Sequence, residues 1–226
     1  MKMRKLILGL LAGTMAVASF GGTAAAAAPA GGTIFVAHGI PGVKVDVCVN
    51  GAEARSNFKY GNSFALEGVP AGTYRVKVRL ASDGECKGAV AIDQKVDVTD
   101  GLNATAVARL VKGAPALSIF VNDIAIAGGT NASVTVRHTA SAPTVDVWVN
   151  GGKSPLVSDF TRGSEAGPVE VPGGAVYAYW VAAAGTYAPV IGPDVSMLDA
   201  GTAYQIMAVG TDASNYRFIV IGQPGV

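Results

Sequence analysis

Two stretches of the chain decide the fold because they are copies of one pattern: His38–Gly51 reads HGIPGVKVDVCVNG and His138–Gly151 reads HTASAPTVDVWVNG. Both begin with a histidine, pass through a loop that contains proline, continue as Val-Asp-Val and end in Val-Asn-Gly, at an offset of 100 residues. An internal repeat of this kind indicates a duplicated structural unit. We therefore predict two copies of one domain, over 31–126 and 131–226, joined by a linker at 127–130.

Within each copy the apolar residues alternate with a period of two, which is the pattern of a half-buried strand. Val45, Val47 and Val49 alternate with other residues, and Asn50-Gly51 is a strong signal for a tight hairpin turn. Seven or eight short strands per copy favour an all-β fold of two tandem immunoglobulin-like β-sandwich domains. A closed barrel would give a similar pattern and stays open as the alternative. Besides the strand around Val47, strands are predicted near 33–37, 57–66, 74–80, 89–98, 103–111 and 117–121.

The repeated pattern resembles a family of secreted bacterial proteins catalogued as domain of unknown function 4397. The residues that carry the resemblance are His38, Pro41, Asp46, Asn50, Gly51, Pro70, Gly72 and Tyr74 in the first copy and His138, Pro143, Asp146, Asn150, Gly151, Pro172 and Gly174 in the second. The resemblance implies exported β-sandwich domains that often occur in tandem, and it implies no activity. The second copy departs from the pattern after Pro172, which leaves its strand register open there.

The N-terminus has the order of a secretory signal peptide. Three basic residues lie within the first five positions, an apolar run continues to residue 20, and small residues fill most of 21–30. We predict a signal peptide over 1–30 and a mature protein that is secreted, extracellular or at the cell surface, with no membrane span. The alternative is an uncleaved membrane anchor, which needs roughly 20 predominantly apolar residues; here glycine and threonine interrupt the run.

Net charge narrows the range of partners. Cleavage of the signal peptide would reduce 17 Lys and Arg to 14, against 16 Asp and Glu, and so change the net charge from +1 to −2. A weakly acidic chain lacks the basic footprint that nucleic acids and anionic membranes require. We therefore expect no nucleic-acid partner, and we expect any partner to be a cell-envelope polysaccharide or a protein.

Cys48 and Cys86 are the only cysteines, and both lie in the first copy. An isolated pair in an exported protein favours a disulfide. In the second copy Trp148 stands at the position of Cys48, and Tyr187 stands close to that of Cys86. We predict that one copy joins these two positions covalently and that the other packs Trp148 against Tyr187.

The two histidines of the chain, His38 and His138, are equivalent in the repeat and are followed by Asp46 and Asp146 on the next strand. One histidine and one aspartate are fewer ligands than the three or four of an ordinary metal site. We predict that these side chains hydrogen-bond to backbone, with no metal and no other cofactor, and we keep them as candidate binding residues. No nucleophile elbow or phosphate-binding loop is present either, so we predict that the protein is not an enzyme.

A basic row on one strand of the first copy is a candidate surface feature. Arg75, Lys77 and Arg79 alternate with apolar residues and so should point outward together. Such a row could attract an anionic wall polymer, although it also suits a solvated face or a protected sheet edge.

The corresponding strand of the second copy is aromatic. Tyr177 and Tyr179 share one face and Trp180 takes the other, so at least one large ring should point outward. Exposed aromatic rings stack on sugars or anchor a protein partner, and they can equally pack against the other domain. The leading hypothesis is a non-enzymatic structural or interaction module. The alternative is carbohydrate or cell-envelope polymer binding through this strand.

Overall fold

The computed structural model describes residues 31–81, 86–126 and 129–226, and none of these residues is helical. The first copy consists of β1 (Gly32–His38), β2 (Lys44–Val49), β3 (Ala52–Lys59), β4 (Ser63–Val69), β5 (Gly72–Leu80), β6 (Val90–Val98), β7 (Asn103–Val111) and β8 (Ala114–Val121). The second copy consists of β9 (Asn131–His138), β10 (Val145–Val149), β11 (Val157–Phe160), β12 (Glu165–Pro172), β13 (Ala175–Ala183), β14 (Pro189–Leu198), β15 (Thr202–Val209) and β16 (Arg217–Pro224). Within the described ranges there is no helix that could span a membrane. The predicted signal peptide lies outside them.

Each copy is a sandwich of two four-stranded sheets. The sheets of the first copy have the orders β4-β1-β7-β8 and β3-β2-β5-β6, and those of the second have the orders β12-β9-β15-β16 and β11-β10-β13-β14. All paired strands are antiparallel except β1 with β7 and β9 with β15, which run parallel at the centres of equivalent sheets. The prediction of an all-β chain with two tandem immunoglobulin-like β-sandwich domains is confirmed, and the closed barrel is excluded because each sheet has two edges.

Tight Asn-Gly turns join β2 to β3 and begin the β10–β11 connection. Asn50 and Gly51 have φ values of 51° and 90°, and Asn150 and Gly151 have values of 50° and 65°. Two consecutive positive φ values define the hairpin turn that favours Asn followed by Gly. The Asn50 side chain also accepts a hydrogen bond from the backbone N–H of Arg75 at 2.8 Å, which ties the turn to β5.

One predicted strand, over 57–66, is wrong. The chain leaves β3 after Lys59, turns at Gly61 and enters β4 at Ser63, in the other sheet of the sandwich. Gly61 has a φ of 82°, a conformation that glycine adopts without strain and that ends the strand.

Each sandwich has its own apolar core between its sheets. The core of the first contains Val36, Val47 and Phe58, and that of the second contains Val147 and Phe160. In both, the buried residues come from alternate positions of the facing strands, as the period of two predicts.

A further apolar cluster lies between the sandwiches rather than within either of them. It joins the outward faces of β4-β1-β7-β8 and β12-β9-β15-β16, here called the inner sheets, and its buried members are Ala37, Val107, Met207, Val209, Ile219 and Ile221. The molecule is therefore a stack of four sheets, with β3-β2-β5-β6 and β11-β10-β13-β14 as the outer sheets.

Candidate functional site

The two histidines hold the loops that follow β1 and β9. Both side chains are buried, and their Nε2 atoms lie 3.2 Å from the carbonyl oxygen of Val43 and 2.9 Å from that of Pro143, respectively. A carbonyl oxygen only accepts, so each Nε2 carries the proton and donates. Burial lowers the pKa of both imidazoles below the ordinary value, which favours the neutral form.

The two aspartates hold irregular points in the neighbouring edge strands. An Asp46 carboxylate oxygen accepts a hydrogen bond from the backbone N–H of Asn57 at 2.9 Å, and Asp146 does the same for Asp159 at 2.9 Å. Asn57 and Asp159 both have positive φ, at 48° and 51°. Asp146 accepts a second bond, from the backbone N–H of Gly185 at 2.8 Å. The carboxylates therefore stabilise backbone conformations that non-glycine residues seldom adopt.

Neither aspartate shares a hydrogen bond with the histidine of its own repeat, and each side chain has backbone partners instead. In the described part of the chain, no three or more His, Cys, Asp or Glu side chains are grouped so that they could hold a metal ion. As candidate binding residues, His38, His138, Asp46 and Asp146 thus lie in loop-supporting positions rather than in an open site.

The two outer sheets join equivalent positions by different chemistry, a covalent bond in one sandwich and packed aromatic rings in the other. Cys48 and Cys86 form the predicted disulfide in the first sandwich. In the second, the rings of Trp148 and Tyr187 pack edge to face with their centroids 4.8 Å apart, as the comparison of the repeats predicts. Trp180 adds a stacked ring whose centroid lies 6.1 Å from that of Trp148. Both indole N–H groups donate to backbone carbonyls, those of Thr186 and Tyr187 respectively.

The aromatic strand β13 places its rings differently from the expectation of an exposed binding strand. Tyr179 faces the core of the sandwich and contacts Phe218, while Trp180 takes the opposite, outward face. Both are only 6% exposed, since Trp148 and Tyr187 cover the outward ring. Tyr177 is partly buried, and its hydroxyl donates to the carbonyl of Pro172 at 3.0 Å. The exposed ring of this region is Tyr187, at 53%, which sequence reasoning placed only as a packing partner of Trp148.

The basic row of the first outer sheet is largely engaged by neighbouring groups. Arg75 donates two hydrogen bonds of 2.7 Å to the Asp93 carboxylate, and Lys77 lies 3.8 Å from the same group. Arg79 donates to the carbonyl of Gly88 at 2.7 Å. The hydrogen bond from Arg75 lowers the pKa of Asp93, so this carboxylate stays ionised opposite the row.

The interface between the inner sheets was not predicted from the sequence. It buries Val107 and Met207 completely, at equivalent positions of the central strands β7 and β15. A usable signal is that both strands are apolar on both faces, as in the runs Ala106–Ala108 and Ile206–Val209. A strand with two apolar faces is one that is covered on both sides.

An ion pair with a buried guanidinium borders this interface. The Arg137 side chain is 0% exposed, and its Nε donates to the Glu165 carboxylate at 2.6 Å. Its guanidinium also lies over the ring of Phe120 in the other sandwich, 4.9 Å from the ring centroid. Stacking of a guanidinium on an aromatic face is favourable when both are desolvated, so this contact links the two sandwiches.

Hydrogen bonds cross the interface at other points. Asn103 of β7 donates to the side-chain carbonyl of Gln223 of β16 at 2.6 Å. The Tyr60 hydroxyl donates to the backbone carbonyl of Asn215, and Arg217 lies over the Tyr60 ring at 4.8 Å. Directional contacts of this kind fix the register of the two inner sheets as well as their distance.

Comparison with known protein families assigns the chain to a family. The family described as domain of unknown function (DUF4397) matches residues 32–148, about half of the chain. The chain belongs to the DUF4397 family. No curated protein shows a significant match to it.

The DUF4397 match begins at the first residue of β1 and ends in β10 at Trp148. It thus contains the whole first sandwich and the beginning of the second, including both histidines. Among solved structures, the Bacillus anthracis TIE protein is similar, with 13% identity and a TM-score of 0.24. The similarity covers 81% of this chain and 34% of that one, so the chain spans about a third of the length of the TIE protein.

Proposed function

We propose that this DUF4397 protein is a secreted or cell-surface, non-enzymatic interaction module, in which two sandwich domains of the family are docked into one rigid body that presents its loops and outer sheets to a partner. The observation that carries this proposal is the interface between the inner sheets. Its apolar centre, the stacking of Arg137 on Phe120 and its crossing hydrogen bonds favour a permanent interface over two domains joined only by a linker.

The surfaces available for display differ between the copies. In the loop after β1, residues 42–44 are exposed, whereas after β9 Thr139 and Ala140 are buried and Pro143 is the exposed residue. The outer sheets present a basic row in one copy and an aromatic cluster in the other. A partner would therefore meet two chemically distinct ends of one rigid body, and this argues for a specific interaction module rather than a uniform spacer.

Export from the cytoplasm is the part of the proposal that the disulfide supports, because such bonds persist in oxidising compartments. Cell fractionation with mass spectrometry of the native protein tests it. We expect the protein in the medium or the envelope fraction, with an N-terminus inside 24–31 and with Cys48 joined to Cys86. A cytoplasmic protein that keeps Met1 and has two free thiols would refute export.

Rigid docking is tested by small-angle X-ray scattering of residues 31–226. A single compact body of this length has a radius of gyration of about 16 Å, whereas two domains that move independently on a linker give about 20 Å or more. We expect the compact value for the native chain and a clear increase for Met207→Arg, which places a charge in the interface. Val195→Arg is the matched control, since Val195 is 65% exposed on an outer sheet. An extended native chain would remove the main support for the proposal.

Carbohydrate or envelope-polymer binding is the second candidate, and the exposed ring of Tyr187 favours it. Trp148 and Trp180 hold this ring by edge contacts at 4.8 and 5.1 Å, so little side-chain entropy remains to be lost on stacking against a sugar. Glycan-array binding that disappears in Tyr187→Ala and persists in Tyr177→Phe would support this role. Absence of glycan binding by the native chain would leave a protein partner as the alternative.

A further inference from the structure

The second sandwich contains an apolar cavity between its two sheets. Its volume is about 100 Å³, and its wall is built mainly from aliphatic and aromatic side chains, including Val136, Val147, Tyr179 and Ile206. Protein cores are packed almost without voids larger than a water molecule. A cavity of this size therefore needs a specific cause.

Comparison of the repeats shows how the side chains around this space differ between the two sandwiches. In the first sandwich Val36 pairs with Phe64, whose ring packs edge to face on Phe58 at 5.0 Å and fills the space between the sheets. In the second sandwich the partner of Val136 is Ala166. The Phe64 ring is thus absent from the second sandwich. Phe160 remains at the position of Phe58, and the ring of Phe218 stands at the position of Leu117.

The cover over this space is also absent. In the first sandwich the guanidinium of Arg55 lies 4.9 Å from the centroid of the Phe64 ring and closes the gap between the edge strands β3 and β4. Arg55 pairs with Val47, and the corresponding partner of Val147 is Val157. The shorter side chain cannot reach across the gap.

The cavity reaches the surface between the edge strands β11 and β12. Leu156 and Val169 line it and are 47% and 38% exposed. Strand β12 is also irregular here, because Gly167 and Pro168 lie between the paired residues Ala166 and Val169. Two exposed aliphatic side chains at an interrupted edge form an apolar mouth through which a small molecule can pass.

The wall of the cavity offers no free charged group that could pair with a charged ligand. Arg137, the one charged residue that lines the cavity, directs its guanidinium to Glu165 and to the interface between the inner sheets. The hydroxyls of Tyr177 and Tyr179 are hydrogen-bonded to Pro172 and Ser196. Nδ1 of His138, which also lines the cavity, is buried and has no hydrogen-bond partner among the described residues. An apolar cavity of this order of size, about 150 Å³ in one engineered case, stays dry and binds benzene or xenon.

We propose that this cavity is a binding site for a small, uncharged apolar molecule, either a single aromatic ring or the end of a short hydrocarbon chain. The ligand would lie among the apolar side chains that line the cavity, and it would enter between Leu156 and Val169. The proposal goes beyond the interaction module and does not depend on it, because the site lies inside one sandwich.

Benzene is the probe that tests this site, in a titration of residues 31–226 followed by nuclear magnetic resonance of the valine methyl groups. We expect saturable shifts at Val136 and Val147, which line the cavity, and none at Val90, which is exposed on the first outer sheet. Shifts that do not saturate, or that spread equally over exposed valines, would overturn the proposal.

Ala166→Phe is the decisive variant, because it restores the residue of the first sandwich. It should weaken benzene binding by about tenfold or more, since the ring occupies the ligand's place. Ala166→Leu, a smaller change, should weaken it partially and covers the case in which the larger ring prevents folding. Ala91→Phe, the same substitution at an exposed position of β6, should leave binding unchanged. Full benzene binding by folded Ala166→Phe would place the ligand elsewhere and refute the site.

Discussion

Removal of the disulfide tests both its own contribution and the coupling between the sandwiches. Cys48 and Cys86 are separated by 38 residues, and closing a loop of that length stabilises the folded state by about 4 kcal/mol in the chain-entropy description. We expect the double variant Cys48→Ala/Cys86→Ala to lose this amount in free energy of unfolding. The second sandwich has no disulfide to lose, so its own interactions are unchanged by the substitutions.

Urea unfolding followed by two signals distinguishes the contribution of the disulfide to stability from the coupling between the two sandwiches. The only two tryptophans, Trp148 and Trp180, lie in the second sandwich, so fluorescence reports on that sandwich while far-ultraviolet circular dichroism reports on both. Because Val107 and Met207 are completely buried in the interface, we expect the sandwiches to unfold together. For an unfolding slope of about 2 kcal/mol per M, both midpoints should fall by about 2 M.

Two results would contradict this reasoning. If the fluorescence midpoint stays in place while circular dichroism separates into two transitions, the interface does not couple the sandwiches. If neither midpoint moves, the disulfide adds nothing to stability. Val90→Ala serves as the control in the same outer sheet, because a substitution at this exposed position should change stability by only about 0.5 kcal/mol.

Substitutions of a glutamate, the two histidines and an aspartate test individual contacts by the same unfolding measurement. Glu165→Ala should destabilise the protein by about 1–3 kcal/mol, since it removes the carboxylate partner of a buried guanidinium; a change below that of an ordinary surface substitution would refute the pairing. Burial lowers the folded-state pKa of His38 and His138 below the unfolded value of about 6.5, so stability should be complete above that pH and fall as the pH decreases below it. His38→Gln and His138→Gln should each flatten this pH dependence, and an unchanged slope would show that other groups cause it. Asp146→Ala should cost about 2–4 kcal/mol, because it frees the backbone N–H groups of Asp159 and Gly185; a loss no larger than that of an ordinary surface substitution would refute that account.

The sequence predicted those features that local pattern or internal comparison can carry. Alternation around Val47 and the Asn50-Gly51 signal are properties of neighbouring residues, and they led to the correct sandwich and turn. The pairing of Cys48 with Cys86 followed from their being the only two cysteines of a chain predicted to be exported. The contact of Trp148 with Tyr187 followed from aligning one copy with the other.

The features that escaped prediction depend on surfaces that meet only in the folded chain. Met207 alternates with inward residues and so faces away from its own core, which in a single sandwich means solvent; the other inner sheet covers it instead. Trp180 likewise points outward but is covered by a ring from the loop after β13. Ala166 carries no signal by itself, because a small residue on an edge strand is ordinary until Phe64 is seen in the equivalent place.

The two copies keep the side chains that bind backbone groups and differ at other positions. Both copies retain the histidine, the aspartate and the Asn-Gly turn, each of which satisfies backbone groups that would otherwise be buried without a partner. The copies differ where several solutions give a stable sandwich, such as a disulfide or stacked rings on the outer sheet. The apolar cavity of the second sandwich is a difference of another kind, because a cavity costs stability and nothing in the fold requires it. A duplicated domain that keeps its costly backbone contacts yet carries an open, apolar space in one copy is best explained if that space is occupied in use.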